Sequence, residues 1–425
     1  MDTPISTLKI NGPRLWQSLM DLAAIGATPK GGNCRLALSP LDGKARDLVI
    51  GWMKDAGLSV SVDQIGNIFG RRPGNNPDLA PIATGSHIDT QPTGGKFDGC
   101  FGVMAGLEVM RSLQERGIET EAPLELIIWT NEEGTRFVPV MMGSGVFCNI
   151  FSLETALAAT DIDGKSVRDE LLRIGYAGTK PLPGHTLGKY FEAHIEQGPI
   201  LEAQDKVIGA VTGSLGLCWY DVTVSGMEAH AGPTPMPMRR DALFAATHIV
   251  QEVVRIALRY APEGRGTVGV LTVHPSSRNV IPGKVKFTVD LRHENAEKLA
   301  EMDRALRRAC HELAAGETTG FTVDVQLEDV QHFPPTPFAA ELVSAVREQA
   351  EARGYPWQEI VTGAGHDAVY VATAYPAAMI FVPCKNGISH NEIEEAKPEH
   401  LEAGANVLLG AMLAQAVVRA AGSTL

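Results

Sequence analysis

The segment Gly85-Ser86-His87-Ile88-Asp89-Thr90 delivers an imidazole directly after an apolar run, and Gly94-Gly95-Lys96-Phe97-Asp98-Gly99 follows with a carboxylate set among glycines. An imidazole and a carboxylate on a tight, glycine-rich loop are the raw material of a divalent-metal site. Glu132 and Glu133 come after a second apolar run, Leu124 to Trp129. Adjacent carboxylates repel unless a cation lies beside them, so the pair calls for a metal, with one carboxylate as ligand and its neighbour holding a water. His194 follows the strand-like Tyr190 to Ala193, and His390 follows Met379 to Pro383. A single histidine so placed is more often structural. Three on one sheet edge, with Asp98 and Glu133, make a set suited to two borderline divalent ions sharing a carboxylate.

The elements that must position these groups alternate along the chain. Helical spacing covers 41–56, an alternating strand pattern covers 58–69 and ends at a turn over 70–74, and a strand is expected over 82–86, a helix over 102–115 and a strand over 124–130. This is βαβ rhythm, hence a mostly parallel sheet flanked by helices, with ligands beyond the carboxyl ends of its strands. Near residue 213 the pattern changes. Strands over 217–224, 267–274 and 284–292 with helices over 240–260 and 296–314 predict a smaller inserted α+β unit of split βαβ, ferredoxin-like type. A helix over 337–352, a strand over 378–382 and a helix over 397–419 then complete the first domain. The expected division is 1–213 with 329–425, and 214–328.

A chain of 425 residues with 44% hydrophobic content exceeds what one core usually supports, so two domains are expected. A net charge of -13 without a basic block argues against nucleic acid or an anionic membrane as partner, and no stretch approaches the roughly 20 apolar residues of a membrane span. The first 25 residues lack a signal-peptide core, and the six cysteines are scattered without paired spacing, which predicts a reduced, cytoplasmic protein. Cys100, among glycines and an acid, is expected to pack and not to react.

Further motifs narrow the reading: Asn131-Glu132-Glu133-Gly134-Thr135-Arg136-Phe137, His194-Ile195-Glu196-Gln197-Gly198-Pro199, Ala229-His230-Ala231-Gly232-Pro233-Thr234-Pro235-Met236, and Gly365-His366-Asp367-Ala368 with Gly387-Ile388-Ser389-His390-Asn391. With the two glycine-rich segments they make the chain, from about residue 14 to its end, resemble the zinc-dependent aminoacylase/dipeptidase superfamily. The resemblance is to its carbamoylase branch of N-carbamoyl-L-amino acid hydrolases, β-ureidopropionases and allantoate amidohydrolases. It implies a zinc-peptidase-like catalytic domain with two divalent ions per subunit, zinc first and manganese, cobalt or nickel also acceptable to such ligands. Asp98 would bridge them, with His87 and His194 on one side or the other and Glu133 and His390 completing the set. Glu132 would be the general base. His230 would approach the substrate carbonyl oxygen, Asn279 and Arg292 would grip the substrate carboxylate, and Gln197 and His366 would touch substrate from the catalytic domain. The inserted unit would be a lid and dimerisation domain of a homodimer. A histidine at 194, where peptidase members more often use an acid, favours the carbamoylase branch.

The implied activity is hydrolysis of a linear, non-peptide C–N bond in a small ureido acid. The stretch from Thr130 to Gly145 looks closest to N-carbamoyl-L-amino acid hydrolases, with allantoate and 3-ureidopropionate as alternative substrates. A di-zinc dipeptidase or aminopeptidase, or a binding protein without turnover, would use the same metal frame.

Overall fold

Leu124–Trp129 is buried along its whole length, as a strand covered by helices on both faces must be. It lies in the larger sheet of a computed structural model that describes residues 7–182 and 184–416. The chain divides into two compact units, one formed by the segments through Gly213 and from Pro337, the other by Ser214–Thr336. In the first, Leu124–Trp129, Ile82–His87, Lys189–Ile195 and Ala377–Val382 lie side by side and parallel. Ile68–Arg72 and Ile208–Ser214 flank this core antiparallel. The sheet is therefore mixed, parallel at its centre and antiparallel towards its edges, where the sequence reading expected mostly parallel pairing. The antiparallel pairs join strands distant in the chain, Ile68–Arg72 with Leu124–Trp129 and Ile208–Ser214 with Ala377–Val382, so local periodicity carries no sign of their direction.

The helix Cys100–Glu115 is buried on nearly every face, packed on Ile82–His87 and against the helix Pro398–Ala416. Its glycines allow that approach: a Cβ on Gly102 would lie 2.4 Å from the carbonyl oxygen of Ala193. No described helix is long and apolar enough to cross a membrane.

Three sequence expectations are corrected. The stretch 58–69 is not one strand but a hairpin of Ser59–Val62 and Ile68–Arg72. The turn forms because the Asp63 carboxylate accepts the amides of Ile65 and Asn67 and Gly66 takes a φ of 86°, an Asx-type reversal inside an alternating pattern. The strand expected over 267–274 is split into Arg265–Thr267 and Leu271–His274. The boundary at 328 falls inside Asp324–Phe333, whose ladder with Gly216–Ser225 holds it in the second unit.

That second unit runs strand Gly216–Ser225, helix Ala242–Arg259, the split strand, strand Lys284–His293, helix Ala296–Ala314 and strand Asp324–Phe333. Its ladders are antiparallel, and the central strands are Lys284–His293 and Gly216–Ser225. This is the ferredoxin-like β-α-β-β-α-β arrangement. Cys218, Tyr220, Val222 and Val224 alternate with exposed or half-buried residues and pack with Phe287, Val289 and Leu291 under the two helices. Asp241 and Asn295 cap those helices by accepting amides of the first turn.

Candidate metal centre

The parallel strands deliver their polar groups at their carboxyl ends. His87 is the last residue of Ile82–His87, and its Nδ1 lies 2.9 Å from the carbonyl oxygen of Asp89. His194 places Nδ1 2.8 Å from the carbonyl oxygen of Ile195. A carbonyl only accepts, so both rings carry a proton on Nδ1 and direct Nε2 at the site. The Nε2 atoms of His87 and His194 face the same Asp98 oxygen, Oδ1, at 3.8 and 3.2 Å. His390 Nε2 faces the other, Oδ2, at 3.2 Å, and stands 3.4 Å from Glu133. Two candidate metal-holding groups result: His87, Asp98 and His194, all buried, and Asp98, Glu133 and His390, the last exposed. Asp98 belongs to both.

Glu132 borders the first group, its Oε2 3.5 Å from His87 Nε2. The backbone carrying Glu132 and Glu133 is clamped from behind, because the Asp89 carboxylate accepts both amides, at 3.3 and 3.2 Å. Asn131, at a φ of 54°, turns the chain there and donates Nδ2 to the carbonyl of Phe137. Burial, then the neighbouring Asp367 and Glu133, hold the Glu132 carboxyl well above the usual carboxylate range. Burial lowers His87 to about 4, whereas His194, against the effect of burial, is held up at about 8 by Asp98. An array in which Asp98 must serve three imidazoles suits divalent cations, which take neutral imidazole and anionic carboxylate together.

Gln197 donates Nε2 to Asp98 Oδ2 at 2.9 Å and to Ser389 at 3.1 Å, and its buried Oε1 has no hydrogen-bond partner among the described residues. His366 is fully buried, its ring 4.4 Å from that of His194 and its Nε2 3.0 Å from Thr362 Oγ1. It also forms a third candidate group with Glu192 and His194. His230, Asn279 and Arg292 all lie in the second unit. The two-residue ladder of Ala229–His230 with Val280–Ile281 brings His230 beside Asn279, whose carbonyl accepts the Ala231 amide at 2.9 Å. Arg292 is not brought to them. It sits near the far end of Lys284–His293, eight residues and roughly 26 Å of extended strand beyond Lys284.

Two residues that the sequence reading passed over support the site. Asp89, two residues after His87 in the same motif, anchors both glutamates. Glu394 accepts the amides of Phe97 and Asp98 at 2.9 and 3.2 Å and the Ser389 hydroxyl at 2.9 Å, pinning the Asp98 loop to the His390 loop. The acidic run Glu392 to Glu395 just after His390 is the one signal that could have pointed to it. Gly99 has a φ of 63°, and a Cβ there would lie 2.3 Å from His87 Nε2. Gly99→Ala is therefore expected to displace that ring, lowering the melting temperature of the metal-free protein and weakening zinc binding in a competition titration. Wild-type values for both would refute the packing argument.

The family model for peptidase family M20/M25/M40 matches residues 83–414. The chain belongs to that family. This M20 chain is 46% identical over 422 residues to the N-carbamoyl-L-amino-acid amidohydrolase of Rhizobium meliloti, covering 98% of this chain and 100% of that protein. It is 38% identical to the N-carbamoyl-L-amino acid amidohydrolase of Geobacillus stearothermophilus, covering 94% and 97%. Among solved structures, the hydantoinase/carbamoylase family amidase of Burkholderia multivorans superposes with a TM-score of 0.93 at 57% identity, covering 96% and 99%. M20 proteins are metal-dependent, and the shared Asp98 lies where such a fold collects ligands, beyond the carboxyl ends of parallel strands.

Proposed function

We propose that this chain hydrolyses the ureido C–N bond of N-carbamoyl-L-amino acids to the free amino acid, ammonia and carbon dioxide. The observation that carries the proposal is the single carboxylate, Asp98, presenting one oxygen to His87 and His194 and the other to His390. Likeness along nearly the whole chain to proteins named for this reaction supports the choice of substrate. The proposed ligands are His87, His194 and Asp98 for one ion and Asp98, Glu133 and His390 for the other, with zinc as first choice of metal. Divalent ions held there supply Lewis acidity, acidifying a water and polarising the ureido carbonyl.

Glu132, buried beside His87, is the general base. Its carboxylate takes the water proton as oxygen adds to the ureido carbon, then returns it to the departing nitrogen. Ammonia leaves, and the remaining carbamate breaks down to carbon dioxide and the amino group. Gln197 and His366 serve the substrate from the catalytic unit. From the second unit, acting as lid, His230 steadies the oxyanion and Asn279 with Arg292 holds the substrate carboxylate. The separation of Arg292 from His230 and Asn279 within one unit supports a homodimer in which one copy supplies the guanidinium and its partner the imidazole. The six unpaired cysteines support a reducing, cytoplasmic setting.

The test is ammonia release by metal-reconstituted protein from N-carbamoyl-L-methionine, 3-ureidopropionate, allantoate and a dipeptide. Dominant release from the first is expected; dominance of either of the next two reassigns the substrate and keeps the chemistry. New free amine from the dipeptide without ammonia would overturn the reading. Arg292→Leu should raise KM for N-carbamoyl-L-methionine roughly 10- to 100-fold, the worth of a charge-assisted pair, and an unchanged KM would remove Arg292 from the substrate site.

A further inference from the structure

We infer that Asp290 is a positioning residue for the substrate carboxylate, acting through Arg292. The inference rests on the reading of Arg292 as the carboxylate anchor and adds a residue to it. Arg292 Nε donates to Asp290 Oδ1 at 3.0 Å and Oδ2 at 3.1 Å, and Nη2 donates to Oδ2 at 2.7 Å. The carboxylate thus takes the Nε/Nη2 edge of the guanidinium and fixes its plane. A guanidinium carries five N–H donors, more than Asp290 takes, so a substrate carboxylate and Asp290 can address one planar cation together.

The backbone under this pair is pinned on both sides. Asp290 stands opposite Trp219 on one neighbouring strand and Thr267 on the other, and Arg292 stands opposite Leu217 and Arg265. Residues two apart on a strand share a face, and here it is the face turned away from Val289 and Leu291, which are buried under the helices. Arg265 stands across from Arg292 in the ladder, with its guanidinium turned to the carbonyl oxygens of Pro262 and Gly264. Asp290 is the acid that restrains the Arg292 side chain. Both partners are about one quarter exposed, at 26% and 28%, open enough for a small acid to reach and too enclosed for the arginine to sweep freely. Arginine otherwise loses much rotamer freedom on binding, and a fixed plane removes that loss from the binding step.

The measurement compares KM and kcat for N-carbamoyl-L-methionine and for its primary amide, which lacks the carboxylate, in metal-reconstituted wild type, Asp290→Ala and Asp290→Asn. Asp290→Ala is expected to raise KM for the acid roughly 3- to 10-fold while raising it far less for the amide, with kcat for the acid nearly kept. Asp290→Asn, which keeps one acceptor oxygen, is expected to fall between. Equal rises of KM for acid and amide, or a fall in kcat at constant KM, would overturn the positioning role and leave the ureido hydrolase reading intact. Failure of that reading shows separately, as wild type that releases ammonia from neither substrate, and it would take the role of Asp290 down with it.

Discussion

Replacing Glu132 with glutamine is expected to lower kcat for N-carbamoyl-L-methionine by about 10²- to 10⁴-fold while both metal equivalents stay bound. The isosteric amide keeps the contacts of the side chain and removes only its ability to take and return a proton, and Glu132 is not in either of the Asp98-sharing ligand groups. Metal content by elemental analysis and kcat in the same preparation check both halves; residual activity near wild type would remove Glu132 as base. A second readout follows from electrostatics. The folded-state pKa of Glu132 is raised, by burial first and by Asp367 and Glu133 next, so the folded metal-free protein binds that proton more tightly than the unfolded chain. Its stabilising effect is complete below the unfolded value and is lost as pH rises through the folded one, where the buried carboxylate becomes a cost. Metal-free Glu132→Gln is thus expected to melt above metal-free wild type at neutral pH, by a margin that shrinks as pH falls towards 4. Catalysis runs the other way, since the base must be ionised, and activity falls as pH drops.

Asp98→Ala is expected to lose both ions together and all measurable turnover. The loss in affinity should exceed the roughly 10- to 100-fold caused by removing a group that merely hydrogen-bonds a ligand, because both candidate groups share this carboxylate. Equilibrium dialysis against zinc separates this from Glu133→Ala, which should empty one position and leave the other. Retention of one tight zinc by Asp98→Ala would show that the carboxylate serves one ion alone.

His87 and His194 were legible because a histidine close behind a largely apolar run falls near the carboxyl end of a buried strand. Leu124 to Trp129 placed Glu132 and Glu133 in the same way. The Asp63 hairpin was not legible, since its reversal depends on one carboxylate accepting two local amides within an alternating pattern. Glu394 was not legible for another reason: its partners, the amides of Phe97 and Asp98, lie nearly 300 residues earlier. Asn279 and Arg292, thirteen residues apart, look like neighbours in sequence and are parted by an extended strand.

By itself the sequence determined which groups were available: three imidazoles, an aspartate and a glutamate pair on or after strands and in a glycine-rich loop, and an α+β insertion carrying His230, Asn279 and Arg292. Their types and local periodicity follow from the short-range chemistry of strands, turns and glycines. Only the tertiary structure decided that Asp98 faces two ligand sets, one through each oxygen, that Asp89 and Glu394 hold the loops beneath them, and that Asp290 braces Arg292. Those are distances between side chains, most of them far apart in the chain, and they are set by strand order, register and packing.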